Sequence, residues 1–250
     1  MSSARNSGRG PLRASLACLF GAIVLIGCAH TAEIPKTAPT ELPAGFPAIR
    51  YESGYADDGR VLRIVPADSE VRILVYREGR LAKLGHNHVL VSREVQGYVF
   101  LADTLRESRA DLYFPVASLI VDDPADRAAA GDEFAGVPSE QAVAGTRRNL
   151  LGERVLEAER FPFIVLGAAV AGGDLERAAL TLKLTIKDGQ TTIPVDVEMM
   201  VTEQGIEIAG SFEVAQTKLG IEPYSVLGGA LRVRDQIELR FSLTAAPIGG

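Results

Sequence analysis

Leu180-Thr181-Leu182-Lys183-Leu184-Thr185-Ile186-Lys187 alternates apolar and polar residues at every step. Successive side chains of a strand point to opposite faces, so this stretch has one dry and one wet surface, a pattern no helix can use. Asp188-Gly189 then offers residues that tolerate positive φ in a tight hairpin, and Val195, Val197, Met199 and Val201 return with Asp196 and Glu198 between them. Gln204-Gly205 makes the next turn before Ile206-Glu207-Ile208. Near the end, Ile237, Leu239, Phe241 and Leu243 alternate with Glu238, Arg240, Ser242 and Thr244. The span from Ala178 to Thr244 is thus an antiparallel meander with one face to bury, and a long meander buries it best by closing into a barrel.

The same period runs upstream. Val71, Ile73 and Val75 mark a strand ending at Arg77-Glu78-Gly79. Val95, Gly97, Val99 and Leu101 mark another, Ser108 to Leu119 a third, and Phe161-Pro162-Phe163-Ile164-Val165-Leu166 leads into the meander. Asp122-Asp123-Pro124 reads as a solvated turn, and the Ala/Gly-rich stretch through Gly136 as a mobile loop. Pro138-Ser139 offers a helix start, Gln141 to Leu151 a helix with Val143, Leu150 and Leu151 as its buried stripe, and Gly152 a left-handed stop. Gln216 to Arg234 is irregular and glycine-rich. The expected fold is all-β, an eight-stranded antiparallel barrel with one helix, and a barrel of that size either packs solid or holds one small ligand.

The chain has 250 residues and a formal charge of −6. Arg5, Arg9 and Arg13 precede an apolar run from Leu16 to Ile26, well short of the roughly 20 residues that cross a bilayer. It reads as a signal-peptide core. Leu25-Ile26-Gly27-Cys28 resembles the lipobox of bacterial lipoproteins, which implies export, cleavage before Cys28 and diacylglycerol on its sulfur. Residues 1–27 are then a signal peptide, and residues 28–58, with Pro35, Pro39, Pro43 and Pro47, a semi-extended tether to a domain at 59–247. The expected location is the bacterial envelope, facing the periplasm. Cys18 leaves with the signal, so Cys28 has no partner for a disulfide. Loss of three arginines makes the mature chain more acidic still, a poor binder of nucleic acid.

No nucleophile is set up for catalysis and no cofactor motif is present: there is no Gly-x-Ser-x-Gly elbow and no glycine loop for phosphate. An enzyme is not expected. His86 and His88 project to one side of a strand, and His-x-His could give two nitrogens to zinc or copper. The only other histidine is His30, on the tether. The pair could equally satisfy buried polar groups, contact a ligand head group, or lie exposed. Arg147-Arg148 could meet a phosphate or form a wet helix face. Leu182, Leu184, Val197, Phe212 and Phe241 could fill a core or line a tunnel.

Several stretches together resemble the YceI-like family of periplasmic lipid- and polyisoprenoid-binding proteins. These are Leu84-Gly85-His86-Asn87-His88 before a Gly97-containing strand, Asn149-Leu150-Leu151-Gly152 with Val155-Leu156-Glu157-Ala158 and Phe161-Pro162-Phe163-Ile164, Leu180-Thr181-Leu182 ending in Ile186-Lys187-Asp188-Gly189, and Phe212-Glu213-Val214 through Leu219-Gly220-Ile221. The resemblance covers about Val61 to Ala245. It implies a lipocalin-like barrel around an apolar tunnel that takes an isoprenoid or other long-chain lipid, with Leu182, Leu184, Val197, Phe212 and Phe241 on the tail and His86 and His88 at the head. The usual member has a lone histidine in a His-x-Gly setting, and Gly-His-Asn-His departs from it. The alternative is a metal-binding or redox-linked periplasmic protein using His86 and His88.

Overall fold

A computed structural model describes residues 41–53 and 59–248. The signal peptide, Cys28 and most of the tether lie outside the described residues. The alternation produces strands β1 (Gly59–Ile64), β2 (Glu70–Glu78), β3 (His88–Ser92), β4 (Gln96–Ala102), β5 (Arg109–Pro115) and β6 (Ile120–Val121) in the first half. The second half holds β7 (Phe163–Gly173), β8 (Arg177–Ile186), β9 (Gly189–Thr202), β10 (Gly205–Ala215), β11 (Ser225–Val226) and β12 (Leu231–Pro247). All pairings are antiparallel, in the order β1-β4-β5-β7-β8-β9-β10-β12, and β12 returns to β1 through Ala245 opposite Ile64. The sheet is a closed eight-stranded barrel.

Three of its staves are bent. β1 and β2 share the same neighbour, β12, across a 3-10 turn at Pro66–Asp68, while β3 continues β4 and the short β6 continues β5. Gly97 marks the bend beside β5: at φ 137° its α-carbon passes so close to the Asp111 carbonyl that a Cβ would stand 2.2 Å from it. In the meander the dry row is Ala178, Leu182, Leu184 and Ile186 on β8 and Ile193, Val195 and Val197 on β9, each under 9% exposed. At the β8–β9 hairpin the positive φ falls on Lys187, at 56°, one residue before the expected Asp188-Gly189.

Among the described residues there are three α-helices where one is expected: α1 (Ala48–Ser53), α2 (Pro124–Ala130) and α3 (Glu140–Leu151). α2 replaces the expected mobile loop. Asp123 caps it, its carboxylate accepting from the amides of Ala125 at 2.9 Å and Asp126 at 3.3 Å, with Pro124 at the first helical position. Such a cap is worth about 1 kcal/mol, enough to offset the helix's short length once its side chains are packed. Arg72 and Arg93 then pin Asp126 from the barrel wall at 3.1 and 2.6 Å. Phe134, just beyond, is buried with Leu74, Val89 and Val91 on the outer side of β2 and β3. Those strands are covered on both faces, which is why Val89-Leu90-Val91 does not alternate.

α1 belongs to the stretch read as tether. Tyr51 stacks on Tyr98 at 5.1 Å and donates to Asp111 at 2.7 Å, docking the helix on the outside of β4 and β5. α3 starts at Ser139, as its sequence suggests, and Leu151 is buried beneath it. Gly152 is not left-handed: its φ of −76° is extended, and a Cβ would sit only 3.0 Å from the Arg148 carbonyl. Among the described residues no helix is long and apolar enough to cross a membrane.

Candidate functional site

The inward rows do not fill the barrel. A cavity of about 320 Å³ runs along its interior, within the size range of small-molecule sites. Its walls are aliphatic and aromatic over most of their length: Leu90 and Val99 from the bent staves, Leu112 and Phe114 from β5, Leu166 from β7, Leu182 and Leu184 from β8, Phe212 from β10, Leu239 and Phe241 from β12. β9 contributes none of this surface. Val197 is buried in the same core but lies outside the lining, with Ile193 and Val195.

The two ends differ. Leu62, Ala178, Val197, Ile206 and Ala245 pack the end formed by β1 and the β7–β8 and β9–β10 turns, each at most 4% exposed and none lining the cavity. At the other end the lining reaches the surface through Arg77, His86, Asn149, Val226 and Arg232, all exposed. α3 roofs part of this mouth with Thr146, Asn149 and Leu150. Arg147 holds the helix down by donating to the Leu119 carbonyl at 2.5 Å and the Ala117 carbonyl at 2.7 Å, so its guanidinium is committed to the fold. Lys187 ties the following segment to the β8–β9 hairpin by pairing with Glu157 at 2.7 Å.

His86 and His88 both line the cavity at its mouth, and Asn87 between them turns the other way. Asn87 is a buried peg: its side chain accepts from the Arg77 amide and donates to the Glu133 carbonyl, both at 3.0 Å. His88 Nδ1 lies 2.6 Å from an Asp122 carboxylate oxygen. The other oxygen accepts from the Val89 amide at 3.0 Å and from the Arg127 guanidinium. Arg127 also donates to the carbonyls of Asn87 and Gly136, each at 2.7 Å. Asp122 and Arg127 are both 2% exposed, so the turn read as solvated carries a buried ion pair. Asp122 sits at φ 55°, a conformation that aspartate accepts more readily than most residues.

The electrostatics follow from this packing. Burial works to raise the Asp122 carboxyl, but His88, the Val89 amide and Arg127 outweigh it and hold the group below the usual carboxylate range. Burial, then the neighbouring His88, Arg127 and Arg77, push His86 below the ordinary imidazole value, so its ring is neutral at pH 7. A neutral imidazole offers one donor and one acceptor to a ligand. The mouth therefore presents hydrogen-bonding groups and two guanidinium side chains above an apolar shaft, Arg77 also donating to the Gly85 carbonyl and Arg232 pairing with Glu78 at 3.2 Å. Among the described residues no three His, Cys, Asp or Glu side chains gather into a site that could hold a metal.

Sequence reasoning did not find Asp122, Arg127, Arg77 or Arg232 as parts of this end. The signal for Asp122 is three-dimensional, because its partners come from β3 and α2. Asn149 belongs to the Asn149-Leu150-Leu151-Gly152 stretch, but nothing in its spacing says that it faces the cavity.

No match was found among curated proteins. Among solved structures, BcnA of Burkholderia cenocepacia is similar in fold, with a TM-score of 0.55 at 16% identity over 73% of this chain and 99% of that one. A YceI protein of Campylobacter jejuni gives 0.45 at 14% identity, over 62% of this chain and 82% of the other. The YceI-like domain family matches residues 63–245, which is most of the barrel with both histidines, α3 and the whole meander. By that match the chain belongs to the YceI-like family.

Proposed function

We propose that this protein binds or carries an amphiphilic lipid, an isoprenoid-like chain lying in the barrel and its polar head at the mouth, while anchored to the envelope membrane through Cys28. The observation that carries the reading is the apolar cavity of about 320 Å³ that is packed shut at one end and opens at the other among His86, His88, Asn149, Arg77 and Arg232. An apolar shaft rewards a long tail by removing its surface from water, roughly 25 cal/mol per Å². The hydrogen-bonding mouth suits a head that stays wet. Membership of the YceI-like family is consistent with a binder of hydrophobic ligands.

Mass spectrometry of lipids extracted from protein purified from its own host tests the cargo. A stoichiometric long-chain species is expected, and its repeated absence overturns the reading. The anchor is tested separately, since Cys28→Ser should release the protein from membrane fractions. Use of His86 and His88 as a metal pair is less well supported, because among the described residues no third His, Cys, Asp or Glu side chain joins them in a group that could hold a metal.

A further inference from the structure

Two loops frame the cavity mouth, residues 79–85 between β2 and β3 and residues 227–230 before β12. They are tied together: the Leu81 amide donates to the Ala230 carbonyl at 2.9 Å, Val226 pairs with Leu231, and Gly85 packs against the Leu231 side chain. Gly79 passes so close to Ala230 that a Cβ would stand 2.5 Å from its carbonyl oxygen. On this platform Leu84 is 70% exposed, Leu227 67%, Leu81 37% and Val226 36%. Four large apolar side chains thus stand in water at one spot, next to the opening of the cavity that Val226 itself lines.

Leu227 makes the arrangement costlier. It is held at φ 52°, followed by Gly228 at 63° and Gly229 at 83°, so the chain spends left-handed backbone to project a leucine outward. The charge around the leucines is also local and opposite to the chain's. Across residues 77–85 and 222–234 stand Arg77, Arg80, Lys83, Arg232 and Arg234 against Glu78 and Glu222, in a protein whose net charge is −6. Arg80 and Lys83 are exposed and flank Leu81 and Leu84 directly.

From these observations we infer that the mouth docks onto an anionic lipid surface, with Leu81, Leu84, Val226 and Leu227 entering the acyl boundary and Arg80 and Lys83, exposed beside them, meeting lipid phosphates. Leucine tips rimmed by bases match both layers of such a surface, and the electrostatic attraction acts within a Debye length of it. The docked cavity opens straight into the bilayer, so a long-chain cargo passes between them without crossing water. This rests on the proposed lipid cargo, but docking is measured without any cargo. Docking of lipid-free protein supports the surface alone, and lipid-loaded protein that fails to dock overturns the surface alone.

The test uses the mature chain from Ala29 to Gly250, which lacks the apolar run of the signal and has no cysteine of its own, labelled at a single introduced cysteine with a fluorophore whose emission moves to the blue out of water. Leu84→Cys and Leu227→Cys place it on the platform, and Leu175→Cys, 51% exposed on the β7–β8 turn, places it at the packed end. With vesicles of equal parts phosphatidylcholine and phosphatidylglycerol, the platform probes should shift to the blue and the Leu175 probe should not. Vesicles of phosphatidylcholine alone should give a weaker shift. An unlabelled Leu84→Asp/Leu227→Asn pair, the second chosen because asparagine accepts that φ, should lose affinity by about tenfold per leucine. Three probes that all stay as in water, a shift at Leu175 equal to that at Leu84, or a platform shift that appears without vesicles as protein concentration rises would each overturn the inference.

Discussion

The packed end and the open end of this barrel are built from the same alternating strands, yet one is filled and the other is not. At the packed end the inward residues include Ala178, Val197 and Ala245 beside Leu62 and Ile206, small and branched shapes that close on one another. Toward the mouth the walls carry Leu182, Leu184, Phe212 and Phe241, larger side chains that still leave a shaft between them. Side-chain size therefore does not decide whether a barrel is hollow. What differs is what holds each end together: apolar contact at one, and at the other an ion pair, a roofing helix and loops joined by backbone bonds.

The sharpest way to break the contrast is at Asp122. Asp122→Ala leaves the Arg127 guanidinium buried without its anion, and removing one member of such a pair costs about 3–5 kcal/mol. Urea unfolding should show that loss, with the mouth's histidine freed. At the packed end the matching change is Leu62→Ala. There the deleted side chain is 0% exposed, so about 3 kcal/mol should be lost with no change in the lipid that co-purifies.

The same bulky substitution at both ends sharpens the comparison further. Val197→Trp should overpack and cost about 1–3 kcal/mol. Leu184→Trp grows into open space and should change stability by less than about 1 kcal/mol, while weakening uptake of a long-chain apolar probe about tenfold. The chain has no tryptophan of its own, so each introduced indole also reports its surroundings by fluorescence.

The smallest expected effect is on pH dependence. The Asp122 carboxyl is depressed in the folded state, so the stability it contributes is complete above about pH 4 and is lost as the pH falls through its lower folded value. His86 is depressed as well, and a base with a lowered folded pKa loses stability as the pH falls below its unfolded value near 6.5. Denaturation across a pH series should show both losses. Asp122→Asn should flatten the acid one, and His86→Gln the one near pH 6.

Much of the barrel is legible in the sequence, because burial on one face imposes a period of two that β8, β9 and β12 display. The parts that were not legible are those where that period fails. β2 and β3 are covered outside by α2 and Phe134, so Val89-Leu90-Val91 carries no alternation. α2 reads as a loop because Ala128 to Gly131 lacks large apolar residues, and its stability comes from the Asp123 cap and the long-range hold of Arg72 and Arg93 on Asp126. The site was legible as a set of inward rows and two histidines. That β9's row, Val197 included, packs rather than lines, and that Asp122 is buried under His88, depend on distances between strands far apart in the chain.

The short β6 pairs only with β3, and β7 pairs with β5 no further than Phe163 opposite Pro115. Past one further backbone bond, from the Val116 amide to the Pro162 carbonyl at 2.9 Å, the wall of the mouth is closed by α3, held to the neighbouring loop by Arg147, and among the described residues no strand ladder spans the gap. Swinging that helix outward breaks two side-chain hydrogen bonds and the contacts beneath Leu151, but no rung of the sheet. Amide exchange should therefore run faster along that seam than through β8 to β10, where every strand is laddered on both sides.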